Sequence, residues 1–234
     1  MSDKIDIGKY NKNPAEYEKI ISNIYEMYPE GVSLDAEYAD WIQSNLNRFL
    51  IRLSRYKFAS KMLSQADNVL EIGCGSGLGS MFLSQFSSKV TGIDIKKNEI
   101  DAAIKLNKRE NCQFKIQDFF EWNEENFDSI VALDVIEHFN EIDGEVLLQK
   151  CAEKAKKSNG MVIIGTPSIY SFPYQSPISQ ASHIKCYDLD ELKQLVGKYF
   201  SRVMAFGMND ELVHTGNAKM SWYYFVIGVN PCQS

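Results

Sequence analysis

After Ala66 the chain alternates short apolar runs with amphipathic stretches, and this alternation constrains the fold more than any other feature. Runs read as strands fall at 68–72, 89–94, 112–117, 128–134, 160–165, 201–207 and 220–229; helical periodicity falls at 78–86, 97–107, 142–157 and 188–199. Successive β and α units of this kind join parallel strands through helical crossovers, which leaves helices on both faces of one sheet. The last two strands follow one another without a helix, so one of them is expected to run antiparallel to the rest.

Ahead of the alternation, Ile42, Leu46, Phe49, Leu53 and Tyr56 recur at spacings of 4, 3, 4 and 3 between Asp35 and Leu63, the pattern of an amphipathic helix or two. Pro14 to Tyr28 reads as another helix, stopped near Pro29-Glu30-Gly31. The domain reading is an N-terminal helical cap over 1–65 and a core over 66–234. The one long connection, 167–187, holds three of the six prolines together with Ile169, Tyr170, Phe172, Tyr174 and Ile178. Connections of that length are usually functional, and its apolar content reads as a packed lid.

The first strand ends in Glu71-Ile72-Gly73-Cys74-Gly75-Ser76-Gly77, a glycine turn that opens a helix. Such a turn lets backbone approach a ligand and presents free N–H groups. A dinucleotide fingerprint would require a third glycine where Leu78 or Ser80 stands. The second strand ends in Asp94, 21 positions after Gly73, where an acid can accept from two ribose hydroxyls. Asp118 follows the third strand, although a lone Asp at a strand end is more often a helix cap.

The pattern E-x-G-x-G-x-G followed by these two acids resembles the class I S-adenosylmethionine-dependent methyltransferases, over roughly 66–229. The resemblance implies a Rossmann-like, mostly parallel seven-stranded sheet with one antiparallel strand. It also implies S-adenosylmethionine as cofactor. In this family Gly73 and Gly75 pack against the methionine and ribose, while Glu71 braces the loop or meets the amino acid through water. Ile95 flanks the adenine. Asp118, beside the Phe119 backbone N–H, reads the adenine edge. On the helix before the first strand, Arg52, Arg55, Tyr56 and Lys57 either cap the cofactor, with Tyr56 reaching its carboxylate, or form a solvated face.

Asp134-Val135-Ile136-Glu137-His138-Phe139 leaves the fourth strand beside the chain reversal, where strand ends meet the ligand crevice. This segment looks like the loop of ubiquinone-pathway O-methyltransferases and small-RNA 2′-O-methyltransferases, in which an E-x-x-E-H run and a later His hold a divalent ion. Here the set would be Asp134, Glu137, His138 and His183, with Asp134 in place of the first Glu and also among the cofactor contacts. In the other reading Glu137 and His138 fix the loop by a hydrogen bond. His138 and His183 are the candidate bases.

Tyr174 in the lid, and Asn209 and His214 between the last two strands, are candidate acceptor contacts, although strand connections are often merely solvated. Trp222-Tyr223-Tyr224 reads as core. Arg55-Tyr56-Lys57-Phe58-Ala59, E-I-G-C-G, D-V-I-E-H, G-T-P-S, S-H-I-K and M-N-D-E-L-V-H-T-G together look like a methyltransferase group among bacterial surface-polysaccharide functions. That resemblance implies a sugar or phosphorylated capsule precursor as small-molecule acceptor.

Net charge is −6, from 25 basic and 31 acidic residues, which disfavours DNA and RNA partners held through phosphates. RNA 2′-O-methylation, N-methylation and a non-catalytic cofactor-binding subunit stay as alternatives. Five dispersed cysteines without a C-x-x-C pair fit reduced thiols. The polar start and short apolar runs give the expectation of a cytoplasmic chain without a membrane span.

Overall fold

The computed structural model describes residues 12–124 and 126–232. The polar start, 1–11, lies outside the described residues, and with it the beginning of the expected cap. The chain divides into two compact units, one ending at Leu34 and one from Asp35 to Ser234. In the first, α1 (Pro14–Met27) starts with proline at its first turn and the Asn13 side chain accepting from the Glu16 N–H; none of its residues is buried.

In the second unit the periodic stretch before β1 is two helices, α2 (Ala36–Ser44) and α3 (Leu46–Ser60). Asn45 causes the break. It ends α2, and its side chain caps the next helix by accepting from the Arg48 N–H at 3.3 Å. Both helices therefore belong to the unit that contains the sheet, so the first compact unit stops well short of residue 65.

The remaining order is β1 (Asn68–Ile72), α4 (Leu78–Leu83), β2 (Lys89–Asp94), α5 (Lys97–Leu106), β3 (Cys112–Ile116), β4 (Ser129–Leu133), α6 (Glu141–Lys154), β5 (Met161–Pro167), α7 (Pro177–Ser182), α8 (Leu189–Gly197), β6 (Phe200–Asn209), β7 (Leu212–His214) and β8 (Tyr223–Pro231). The strands form one sheet in the order β3-β2-β1-β4-β5-β8-β6-β7. Neighbours among β1 to β5 pair parallel, and β8 enters antiparallel between β5 and β6. The sheet has eight strands rather than seven, with two antiparallel members. The additional one is β7, which folds back on β6 with Asn209 opposite Leu212 and Asp210 at φ 48°. A left-handed Asp is a hairpin device. The polar run that reads as a solvated connection is thus partly a strand.

Side-chain alternation divides the core between the two faces. Leu70, Ile72, Ile130, Ala132, Val162, Ile164 and Val226 pack on one side with α6 and α8 residues such as Leu147, Leu192 and Val196. Val69, Val131, Leu133, Ile163, Phe225 and Ile227 pack on the other with Tyr56 and Ala59 of α3 and Leu83 of α4. A strand buried on both faces reads as a continuous apolar run, as β4 and the first four residues of β5 do, whereas β1 is interrupted by the buried Glu71. Among the described residues no helix is long and apolar enough to cross a membrane.

Segment 167–187 has local structure: a 3-10 turn over Ile169–Tyr174 and then α7. Its feet are joined, since Ser168 bridges to Tyr187 and the Ile169 N–H donates to the Tyr187 carbonyl at 2.9 Å. After β3 the chain returns across β1 to β4, so the carboxyl ends of β1 and β4 border the crevice in which ligands of open α/β sheets bind.

Candidate active site

Beyond β1 the backbone turns sharply, with Gly73 at φ +68° and Gly75 at φ +53°. A β-carbon on Gly73 would stand 2.7 Å from Val135 Cγ2, whereas one on Gly75 would meet nothing nearer than Glu99 Oε2 at 3.9 Å. Gly73 is therefore closed by packing, while Gly75 borders open space that a ligand can enter. Asp94, at the end of β2, accepts from the Gly75 N–H at 3.0 Å and the Lys96 N–H at 2.9 Å. A carboxylate has about four acceptor positions; two remain, the number a ribose diol needs. The next residue, Ile95, is 69% exposed, an apolar side chain left facing outward beside that acid. Asp118 is exposed and caps the turn after β3 by accepting from the Phe120 N–H at 2.8 Å, and Phe119 is buried.

Glu71 lies behind the glycine loop. It is buried and accepts from the Ser80 hydroxyl of α4 and the Tyr56 hydroxyl of α3, and burial raises its pKa to about 7. Tyr56 is itself buried, its ring against Gly79 and its hydroxyl committed to Glu71. It is a brace under the loop, so the expectation that it reaches a cofactor carboxylate is corrected.

The helix before β1 contributes arginines instead. One Nη of Arg55 donates to both Asp134 oxygens at 2.7 Å, and Arg52 stands 3.6 Å from Asp134 Oδ2. Burial pushes the Asp134 pKa upward, but the two guanidinium charges outweigh it and hold the carboxyl below its ordinary value. Asp134, at φ 58°, is spent on this ion pair and lies outside the cluster of possible metal donors. Arg55 also stacks over the Tyr223 ring, 3.9 Å from its centroid.

That cluster is Glu137, His138 and His183, whose donor atoms lie within 4.8 Å of one another. Glu137 is fully buried; Thr166 Oγ1 donates to its Oε2 at 2.9 Å, and its Oε1 has no partner. Burial, followed by the nearby Asp134 charge, raises Glu137 to about 8. His138 Nδ1 is 3.0 Å from the Ser182 carbonyl, which accepts only, so Nδ1 carries the hydrogen and Nε2 keeps its lone pair. The His183 ring stands edge to face with it, centroids 5.2 Å apart, and His183 Nδ1 is buried without a partner. Burial, then His138, lowers the His183 pKa. Two imidazoles and one carboxylate with an orphaned oxygen are a fitting donor set for a divalent ion such as Zn²⁺.

Of the candidate acceptor contacts, Tyr174 and Asn209 meet at Trp222: the Tyr174 and Trp222 rings are 5.5 Å apart, and Asn209 Oδ1 accepts from the Trp222 backbone N–H at 3.0 Å. His214 sits on β7 opposite Gly207, its Nδ1 accepting from the Gly216 N–H at 3.1 Å. Trp222 does not belong to the core; it is 51% exposed while Tyr223 and Tyr224 are buried. Its place one residue ahead of β8 is the signal that separates it from the strand interior. Thr166 and Tyr223 are further site residues that spacing alone does not single out.

Comparison with known proteins agrees with this geometry. A family model described as a methyltransferase domain matches residues 63–209. The mitochondrial ubiquinone biosynthesis O-methyltransferase of Dictyostelium discoideum is 35% identical over 134 residues, 50% of this chain and 40% of that protein. The match thus spans about two fifths of that relative's length. Among solved structures, the N-methyltransferase NodS from Bradyrhizobium japonicum with S-adenosyl-L-homocysteine superposes with a TM-score of 0.59 at 15% identity, covering 78% of this chain and 88% of that one. Magnesium protoporphyrin IX methyltransferase from Synechocystis with bound S-adenosylhomocysteine gives 0.59 at 16% identity, covering 85% and 89%. With a methyltransferase-domain model matched over most of its length, the chain belongs to the methyltransferase domain family, in the class I fold that uses S-adenosylmethionine.

Proposed function

We propose that the protein transfers a methyl group from S-adenosylmethionine to a hydroxyl oxygen of a small polar acceptor, a sugar or a phosphorylated surface-polysaccharide precursor. The observation that carries oxygen as the target is the Glu137, His138 and His183 cluster beside the β1–β4 crevice, with Glu137 Oε1 and His183 Nδ1 both buried and unpartnered. A hydroxyl acceptor has one proton to lose, and this cluster offers the group to receive it. The O-methyltransferase named among the relatives supports the same reading.

In this reading Gly75 admits the cofactor, Asp94 holds its ribose, Ile95 flanks the adenine, and Asp118 with Phe119 marks the adenine edge. Glu71 and Tyr56 keep the loop rigid from behind, and the Arg55–Asp134 pair fixes the end of β4 beside it. The cofactor supplies a sulfonium-activated methyl whose leaving group departs as a neutral thioether, so no general acid is needed. His183 Nδ1 takes the acceptor proton as the O–C bond forms, while His138 is held by the Ser182 carbonyl. A divalent ion on Glu137, His138 and His183 would instead polarise the acceptor oxygen. Segment 167–187 acts as the lid, excluding water and aligning the acceptor, with Tyr174, Asn209 and His214 at the acceptor mouth. The five free thiols suit a reducing cytoplasm.

The test is transfer of labelled methyl from S-adenosylmethionine to a panel of sugars, sugar phosphates, amines and short RNAs, with and without chelator. Product methylated on a sugar oxygen supports the reading. Label on nitrogen or on RNA would replace it, and cofactor binding without transfer to any acceptor would favour a non-catalytic subunit.

A further inference from the structure

The exposed aromatic surface next to the reaction centre is concentrated in one place. Tyr174 is 74% exposed and Trp222 51% exposed, and they form an edge-to-face pair with centroids 5.5 Å apart. Together with Tyr170, Ser171, Lys219 and Met220 they line a cleft of about 160 Å³ between the lid and the start of β8. Aromatic side chains left in water with their faces free are ring-binding platforms. Among the described residues Lys219 has no ion-pair partner, so its charge is available to a ligand in that cleft. Behind the lining residue Ser171, Gln175 Nε2 donates to Ser171 Oγ at 3.1 Å, which holds that part of the cleft wall in place.

Backbone links the cleft to the Glu137 cluster. The Trp222 carbonyl accepts from the Ser168 N–H at 2.9 Å, and Thr166, two residues earlier near the end of β5, donates to Glu137.

We propose that Tyr174, Trp222 and Lys219 form an acceptor subsite for a six-membered ring bearing an anionic substituent. The aromatic pair packs on the ring, and Lys219 holds the anion. This deepens, and rests on, the O-methylation reading. Aryl rings and pyranose rings share this chemistry, and the test separates them.

The full chain, saturated with S-adenosylhomocysteine, is titrated by calorimetry with phenyl phosphate and glucose 6-phosphate, and with phenol, glucose and inorganic phosphate as fragments. At least one ring phosphate is expected to bind tenfold or more tightly than any fragment, and the stronger of the two identifies the ring class. Trp222→Ala should reduce that ligand to the affinity of inorganic phosphate, and Lys219→Ala to that of the uncharged ring, with S-adenosylhomocysteine affinity unchanged in both. Trp222 fluorescence gives a second readout, because Trp41 and Trp122 are only 7% and 5% exposed; the ring phosphate should shield it from an aqueous quencher. Ring phosphates no tighter than inorganic phosphate, or equal affinities in the variants, would overturn the subsite. If hydroxyl methylation persists with unchanged KM in both variants, the subsite fails while O-methylation stands. If ring phosphates bind as expected but no hydroxyl is ever methylated, the subsite stands and O-methylation fails.

Discussion

Replacing Glu71 by Gln tests the buried brace under the glycine loop through its pH dependence. Burial moves this carboxyl from 4.5 to about 7, a difference worth about 3 kcal/mol at 1.36 kcal/mol per unit. The direction follows from proton uptake. Between those two values the folded chain keeps the proton that the unfolded chain has lost, so stability is full below 4.5, falls as pH rises, and has lost this contribution above 7. Glutamine is neutral throughout; its oxygen still accepts from one hydroxyl and its amide donates to the other. Urea unfolding of both proteins at pH 5 and pH 8, with circular dichroism to check the fold, isolates the effect. The loss between the two pH values should be smaller in Glu71→Gln by about 2.5 kcal/mol, because part of the contribution is already gone at pH 5. Equal losses within ~1 kcal/mol would show that Glu71 ionises without penalty in the fold, and the account of the brace would fail.

Asp94→Ala should weaken S-adenosylhomocysteine binding by about 1–3 kcal/mol, the cost of losing an acceptor that the bound ribose covers, and calorimetry that finds unchanged affinity would remove it from the ribose site. Arg55→Ala leaves Asp134 with only the distant Arg52; because the paired side chains are 20% and 17% exposed, about 2 kcal/mol of stability should go, less than for a fully buried pair, and Asp134→Asn in the same chain should restore part of it. A wild-type denaturation midpoint in Arg55→Ala would contradict that. His183→Ala should spare cofactor binding, abolish any heat of Zn²⁺ or Mg²⁺ binding, and lower turnover by about 10²-fold or more; retained turnover excludes His183 as base and as ligand.

The sheet was legible in the sequence because its central strands, β4 and β5 above all, are buried on both faces and read as apolar runs, and β1 and β2 fall where the pattern places them. Boundaries elsewhere moved by one to three residues, as helix and strand ends do. The hairpin at Asn209–Leu212 was not legible, since Asp210 and Glu211 look like any polar connection and only the left-handed Asp210 reveals the turn. The cofactor acids stand at strand ends, where chain order alone locates them. By contrast, the Arg55–Asp134 pair joins residues 79 positions apart. No local period records such a contact, which is why Asp134 reads from sequence as a metal ligand. Trp222 was misread for a related reason: its neighbours are core residues, and a single step in register decides whether an aromatic ring is buried or displayed.

Segment 167–187 leaves the end of β5 beside Thr166 and closes, at its far end, on Glu137. Thr166 donates to the Glu137 carboxylate, and the Ile184 and Lys185 N–H groups donate to the Glu137 carbonyl at 2.8 and 3.1 Å. Both anchors of the lid thus close on one amino acid, which also borders the reaction centre. If the proposed acceptor site under Tyr174 couples to Glu137 through this segment, the coupling is reciprocal: whatever factor an acceptor contributes to a ligand on Glu137, that ligand returns to the acceptor.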